Sequence, residues 1–344
     1  MNAGVLLGND HLVVAEVAQA HGGDVRLAHQ LIEAASRAGA HAVKFQTHIA
    51  EEESTSREPW RIKFNSQDAT RKDYWRRMEF SQGEWRELRA HCVSLGVEFV
   101  SSPFSPAAVE LLTDLGVRVW KIASGEVSNA QLLASVAATN LPVILSSGLS
   151  TFAELELAAE RVGRAPEQLA VLQCATQYPT TAESVGLNVI PELRARFGCV
   201  VGISDHSATP YPSLAAAALG ARIFEVHIRL DDDTSGPDAS SSLTASELAN
   251  LVRGVAFIRQ SLAHSVDKSR LSDEQVQLRR VFGRSLVAAR NLAAGKPLEK
   301  SDIAYKKPGG GLPFESANQL VGRRLRRSLG ADDELRLNDV EDSE

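Results

Sequence analysis

The sequence predicts an α/β chain, a (β/α)8 TIM barrel followed by a small C-terminal domain, and three observations carry that prediction. From residue 12 to about 262, strand-like apolar runs alternate with amphipathic Ala/Leu-rich segments, the pattern of a parallel sheet. Eight such units fit in that length, which suits a closed barrel better than an open doubly wound sheet. After Ala263 the pattern changes: SVDKSRLSDEQVQLRR is polar, and short strand-like pieces (SLVAARNL, IAYKK, ELRLNDV) follow, punctuated by AGKP and PGGGLP. The expected organisation is a barrel over 1–262, a linker or exposed helix over 263–280, and a turn-rich domain over 281–344.

The eight strands are expected at Leu12–Val17, Ala42–Gln46, Val97–Ser101, Val117–Ala123, Pro142–Ser146, Leu169–Cys174, Val200–Ile203 and Ile223–His227. Gly39, Gly96, Gly116 and Gly220 each fall just before a strand, where helix C-caps belong. No GxGxxG follows the first strand, so a dinucleotide fold has no support. One connection is abnormally long. Residues His48 to Ser81 are polar and aromatic (Trp60, Phe64, Tyr74, Trp75, Phe80), and a connection of that length reads as a lid over the barrel mouth.

Composition narrows the function classes. A net charge of −6 without clustered Lys/Arg argues against a nucleic-acid partner. No apolar run is long enough for a membrane span, and MNAGVLLGNDHLVVAEV lacks a signal-peptide pattern, so a cytoplasmic protein without a membrane partner is expected. Cys92, Cys174 and Cys199 show no CxxC spacing and read as small buried hydrophobes.

The chemistry concentrates at strand ends. In VVGISDHSATPYPSLAAAALGARIFEVHI, from Val200 to Ile228, two parallel strands joined by a helix bring His206 and His227 to one rim, about one strand spacing apart. Two imidazoles beside carboxylates there suit a shared divalent metal. Strand parity aims Lys44 and Gln46 with Ala42, and Lys121 with Val117 and Val119, into the barrel. An inward lysine is costly without an anion to meet. Glu16, Ser102 and Ser146 stand at the ends of the first, third and fifth strands, and Ser124 and Glu126 follow Lys121 in KIASGE. Two lysines ringed by serines make a pocket for a small polyanion, best a phosphate with a carboxylate. A Schiff-base lysine is the competing use of Lys44 or Lys121, since barrels also host class I aldolases.

These motifs also carry a resemblance. EVAQAHGGD, VKFQTH, SSPFS, KIASGE, LSSGLS, LQCATQYPT, GISDHS, FEVH, GPDASSSL and YKKPGGGLP occur in the order found in the sialic acid synthases, nonulosonate synthases that condense phosphoenolpyruvate with an acylamino sugar aldehyde. The chain resembles that family nearly end to end. The resemblance implies a barrel followed by an antifreeze-like (SAF, β-clip) domain, in a domain-swapped homodimer whose small domain closes the partner's active site. It implies manganese or magnesium on His206 and His227, and phosphoenolpyruvate on Lys44, Ser102, Lys121, Ser124, Ser146 and Ser204. Glu16, Gln46, Glu126, Tyr178, Glu225 and Asp238 match positions around the sugar and the metal, with Glu126 in the place of the carboxylate that handles protons; the catalytic set is Glu126, Glu16 and Lys121.

Two positions depart from the pattern. Thr176 stands where an Asn is usual, and Lys307, offered to the partner's sugar site, stands where an Arg is usual; losing the planar fork is not conservative. The acceptor is therefore open among N-acetylmannosamine and pseudaminic- or legionaminic-type precursors. Three rivals are a class I aldolase using Lys121, a carbohydrate-binding barrel without catalysis, and 3-deoxy-heptulosonate-type synthesis.

Overall fold

A computed structural model describes residues 7–341 apart from 9, 64–65 and 231–235; Phe64 of the long connection lies outside the described residues. The chain divides into two compact units, Met1–His264 and Ser265–Glu344. In the first, β1 (Leu12–Glu16), β2 (Ala42–Thr47), β3 (Glu98–Pro103), β4 (Trp120–Ile122), β5 (Val143–Ser146), β6 (Leu169–Cys174), β7 (Val200–Asp205) and β8 (Ile223–Arg229) pair in parallel in the order β3-β2-β1-β8-β7-β6-β5-β4. β3 and β4, the ends of that order, lie beside each other, so the eight strands form a nearly closed barrel. A short ninth strand, β9 (Ser242–Thr244), pairs with β8.

Parity sorts the side chains. Leu12, Val14, Ala42, Val100, Val119, Ile144, Ala170, Leu172 and Ile223 fill the barrel interior, while Val13, Ala15, Val43, Phe45, Phe99, Trp120 and Phe224 face the helix layer. The next inward position on every strand toward its C-terminal end is polar or a thiol: Glu16, Lys44, Ser102, Lys121, Ser146, Cys174, Ser204 and Glu225. An apolar plug thus closes the bottom and a polar layer floors the mouth, the end where barrels carry their sites. The helices are started by side-chain caps; Ser81 and Glu84 form a capping box on Gln82–Ser94, and Thr151 and Glu154 form another on Phe152–Val162. Gly116 ends Pro106–Leu115 at φ 76, a left-handed conformation suited to glycine.

The long connection after β2 holds two helices, Ala50–Glu53 and Arg71–Met78, and its Trp60, Arg61, Tyr74 and Trp75 line the mouth. In the second unit, an exposed helix Asp273–Phe282 occupies the stretch expected as a linker or exposed helix. β10 (Ser285–Ala288) and β11 (Ile303–Lys306) pair antiparallel over a core of Leu286, Leu292, Leu298, Leu320, Leu325, Leu329 and Leu335. The third strand-like piece, ELRLNDV, forms isolated bridges only, Val287 with Glu334 and Leu325 with Val340, because a helical turn at Leu337–Asp339 interrupts it.

Candidate active site

A cavity of about 750 Å³ opens at the C-terminal mouth of the barrel. Of the sequence-expected site residues in the first unit, Glu16, Lys44, Gln46, Lys121, Ser124, Glu126, Ser146, Thr176, Tyr178, Ser204, His206, Glu225, His227 and Asp238 all line it. Ser102 does not reach the wall; it stands behind Lys44 and accepts from its Nζ at 3.3 Å. Lys307 belongs to the second unit, where its Nζ lies 5.8 Å from the Phe282 ring.

The sheet register explains the convergence. Glu16 stands opposite both Lys44 and His227, and Ser204 opposite Glu225. Lys44 and Lys121 are each 3% exposed. Lys44 Nζ pairs with Glu16 and lies 3.8 Å from Glu225 Oε1, while Lys121 Nζ lies 3.5 Å from the same Glu225 oxygen and donates to Ser146 Oγ at 2.7 Å. Burial pushes both ammonium groups toward neutrality. At Lys44 the charges of Glu16 and Glu225 outweigh burial and the net shift is upward; at Lys121 burial and the Lys44 charge win, and the net shift is downward. Burial also pushes the Glu225 carboxyl up, but Lys121, Lys44 and a 3.0 Å hydrogen bond from Ser204 hold it below the usual carboxylate range.

His206 and His227 meet at the rim with ring centroids 5.1 Å apart, and Tyr178 packs 4.2 Å from the His206 ring. His206 Nδ1 donates to the Ala175 carbonyl at 2.8 Å, which leaves its Nε2 lone pair toward the cavity. Burial and the neighbouring His227 push His206 down to about 3, so its ring is neutral and ligand-ready. The described residues gather no three His, Cys, Asp or Glu side chains in a metal-holding group. Two imidazoles with room beside them suit an ion completed by oxygen atoms of bound molecules. Charge argues the same way: the cavity is lined by seven carboxylates (Glu16, Glu52, Glu53, Glu58, Glu126, Glu225, Asp238) against Lys44, Arg61, Arg71 and Lys121. A small polyanion entering so acidic a space needs more positive charge than these side chains supply.

Glu126 follows β4 on the cavity wall. Burial raises its carboxyl, with the Glu53 charge adding and a 2.8 Å hydrogen bond from Asn129 opposing. A carboxyl raised in this way holds its proton more readily than a free one and is suited to proton transfer. Gly148 keeps the wall tight, since a Cβ there would lie 2.7 Å from Thr176 Cγ2 and 2.8 Å from Ser124 Oγ. Thr176 donates to the Gly148 carbonyl at 3.4 Å.

Sequence reasoning missed several wall residues. Cys174, read as a buried hydrophobe, is the eighth member of the polar layer and lies 3.5 Å from Ser124 Oγ. Parity along β6 carried that signal, since Ala170 and Leu172 face inward. His48 is missed on the same grounds, two places beyond Gln46. Arg61 donates to Asp238 Oδ1 at 2.6 Å and lies 4.2 Å over the Tyr178 ring; no sequence pattern couples residues so far apart.

Comparison with known proteins places this geometry. Residues 31–267 match the NeuB family and residues 283–341 match the SAF domain. The chain is 31% identical to the N,N'-diacetyllegionaminic acid synthase of Campylobacter jejuni over 94% of its own length and 98% of that protein. It is 32% identical to the N-acetylneuraminate-9-phosphate synthase of Drosophila melanogaster, covering 95% of each. Among solved structures, the N-acetylneuraminic acid synthetase of Leptospira borgpetersenii, crystallised with citrate, matches with a TM-score of 0.68 at 30% identity, over 78% of this chain and 90% of that one. A polar-floored barrel mouth, a family match over more than half the chain and full-length relatives lead to one conclusion: this chain is a member of the NeuB family, with a C-terminal SAF domain.

Proposed function

We propose that this enzyme condenses phosphoenolpyruvate with an N-acyl hexosamine aldehyde and water, giving a nonulosonic acid and phosphate by C–O cleavage. The observation that carries this reading is the pairing, in one cavity, of a lysine-and-serine floor with a two-imidazole rim. Lys44, Lys121, Ser124, Ser146 and Ser204 hold the phosphate and carboxylate, with Ser102 supporting Lys44. When bound, a divalent ion such as manganese or magnesium on His206 and His227 supplies Lewis-acid polarisation of the aldehyde oxygen. The enol carbon C3 attacks the aldehyde carbon, whose oxygen takes a proton. Glu126 positions the water that adds at C2 and takes its proton. The bond from C2 to the bridging phosphate oxygen then breaks, leaving the 2-keto acid and inorganic phosphate. Lys44 and Lys121 stabilise the charge on the departing phosphate, and the His48–Ser81 connection keeps bulk water from the reactive centre.

Glu16, Gln46, Tyr178, Glu225, Asp238 and Thr176 surround the acceptor in this reading. N-acetylmannosamine is the first acceptor, with pseudaminic- or legionaminic-type precursors as alternatives, because the relatives named above differ in product and Thr176 departs from the usual residue. A homodimer belongs to the same proposal, in which the partner's Lys307 offers a cation to the sugar. Phosphate release from phosphoenolpyruvate with manganese and a panel of aldoses tests it; release with one sugar that a chelator stops is the expected result. Metal-independent turnover, trapped by borohydride with pyruvate on Lys121, would instead establish an aldolase.

A further inference from the structure

His48 begins the long connection and is 5% exposed. Its ring is stacked between Trp75, 4.1 Å away, and Phe104, 4.4 Å away, with both planes within 17° of its own. Trp75 comes from the connection's own helix Arg71–Met78, and Phe104 from the exit of β3. Glu53 Oε1 lies 2.6 Å from His48 Nδ1, and Gln46 Oε1 lies 3.2 Å from Nε2.

The orientation of Gln46 is fixed by its other end. Its Nε2 donates to Glu16 Oε1 at 3.1 Å, and Glu16, ion-paired to Lys44, only accepts. The Gln46 carbonyl oxygen therefore faces His48, and Gln19 Nε2 donates to the same oxygen. Gln19 Nε2 also lies 3.2 Å from His48 Nε2, so that ring nitrogen meets the amides of both Gln46 and Gln19 while Nδ1 meets the Glu53 carboxylate.

We propose that His48 is a positioning residue. It rivets the long connection to the barrel mouth and holds Gln46 and Glu16 in place beside Lys44. The hydrogen-bonded series Glu53–His48–Gln46–Glu16–Lys44–Ser102 runs without a gap from the lid to the floor of the cavity. His48 also sets the field at Glu126, whose neighbours are Asn129, Glu53 and His48; the Glu53 charge raises Glu126 and the His48 charge lowers it. Without His48, only the Asn129 hydrogen bond is left to oppose burial and Glu53 at Glu126.

Two measurements test this. The first is long-range 1H–15N NMR of the full-length free protein at pH 7, with His48→Phe identifying the ring signal. His48 Nδ1 is expected to show the shift of a protonated nitrogen hydrogen-bonded to Glu53, and Glu53→Gln to move that signal. An unprotonated Nδ1 in the parent, or a signal that Glu53→Gln leaves in place, overturns the proposal. The second rests on the synthase reading. His48→Phe keeps the stack and removes both hydrogen bonds, so kcat/KM is expected to fall about tenfold to a hundredfold, the scale of a misplaced active-site group. The Glu126-governed limb of the pH profile is expected to move to higher pH. Unchanged kcat/KM and an unmoved limb overturn the positioning role. A parent without synthase activity would sink the synthase reading, while the NMR result would still decide the ring's contact with Glu53.

Discussion

Glu225→Gln isolates the electrostatics of the cavity floor from catalysis. Among the described residues, Glu225 is the carboxylate that ion-pairs with Lys121, at 3.5 Å, whereas Lys44 keeps Glu16. The substitution leaves Lys121 buried without a counter-charge, facing only the Ser146 hydroxyl and a neutral amide oxygen. Breaking a buried pair by removing one partner costs about 3–5 kcal/mol, and the lower end applies because Lys121 is already displaced toward its neutral form. At about 2 °C per kcal/mol for a unit of this size, the barrel transition is expected to fall by about 6 °C at pH 7 in differential scanning calorimetry. The pH dependence has a definite sign. The Glu225 carboxyl is held low in the fold, so its stabilisation is present above the unfolded value and lost as pH falls through the folded one. The gap between parent and variant therefore closes in acid. It also narrows toward pH 10, as the uncompensated Lys121 sheds its proton. A variant within about 0.5 kcal/mol of the parent at pH 7, the scale of a neutral surface change, would refute the reasoning.

Three further outcomes follow from the site. His206→Ala is expected to abolish metal-dependent turnover while leaving the circular dichroism and melting profile intact, and full activity would remove the metal from this rim. Glu126→Gln is expected to lower kcat by about 10²–10⁴-fold, the range for a lost general acid or base, and to erase one limb of the pH–rate profile; a retained limb would assign proton handling elsewhere. Gly148→Ala forces a methyl against Thr176 and Ser124 in the wall, so KM for phosphoenolpyruvate is expected to rise with little change in stability; an unchanged KM would show that the wall yields freely.

Much of the barrel was legible because its physics is local and periodic. Alternation along Leu12–Glu16 or Ile223–His227 states which face each residue takes, and parallel pairing states that strand ends meet. Lys44, Lys121, His206 and His227 converge for those reasons alone. Cys174 and His48 obey the same parity but were passed over, because a thiol and a residue just past a strand end do not stand out by type. Arg61 with Asp238, and the stacking of Trp75 on His48, depend on how an irregular connection packs, and no period encodes that. In the second unit, Glu334–Val340 alternates like a strand yet forms only bridges, since its apolar residues serve a small core at a turn.

The central claim is condensation with C–O cleavage, and the fate of the bridging oxygen tests it most directly. Phosphoenolpyruvate labelled with 18O in the bridging position is incubated with the enzyme, manganese and the sugar panel, and the phosphate is analysed by mass spectrometry. The expected result is labelled phosphate, released with one acceptor and suppressed by a chelator. Unlabelled phosphate, which signals P–O cleavage, or no release with any acceptor would contradict the claim.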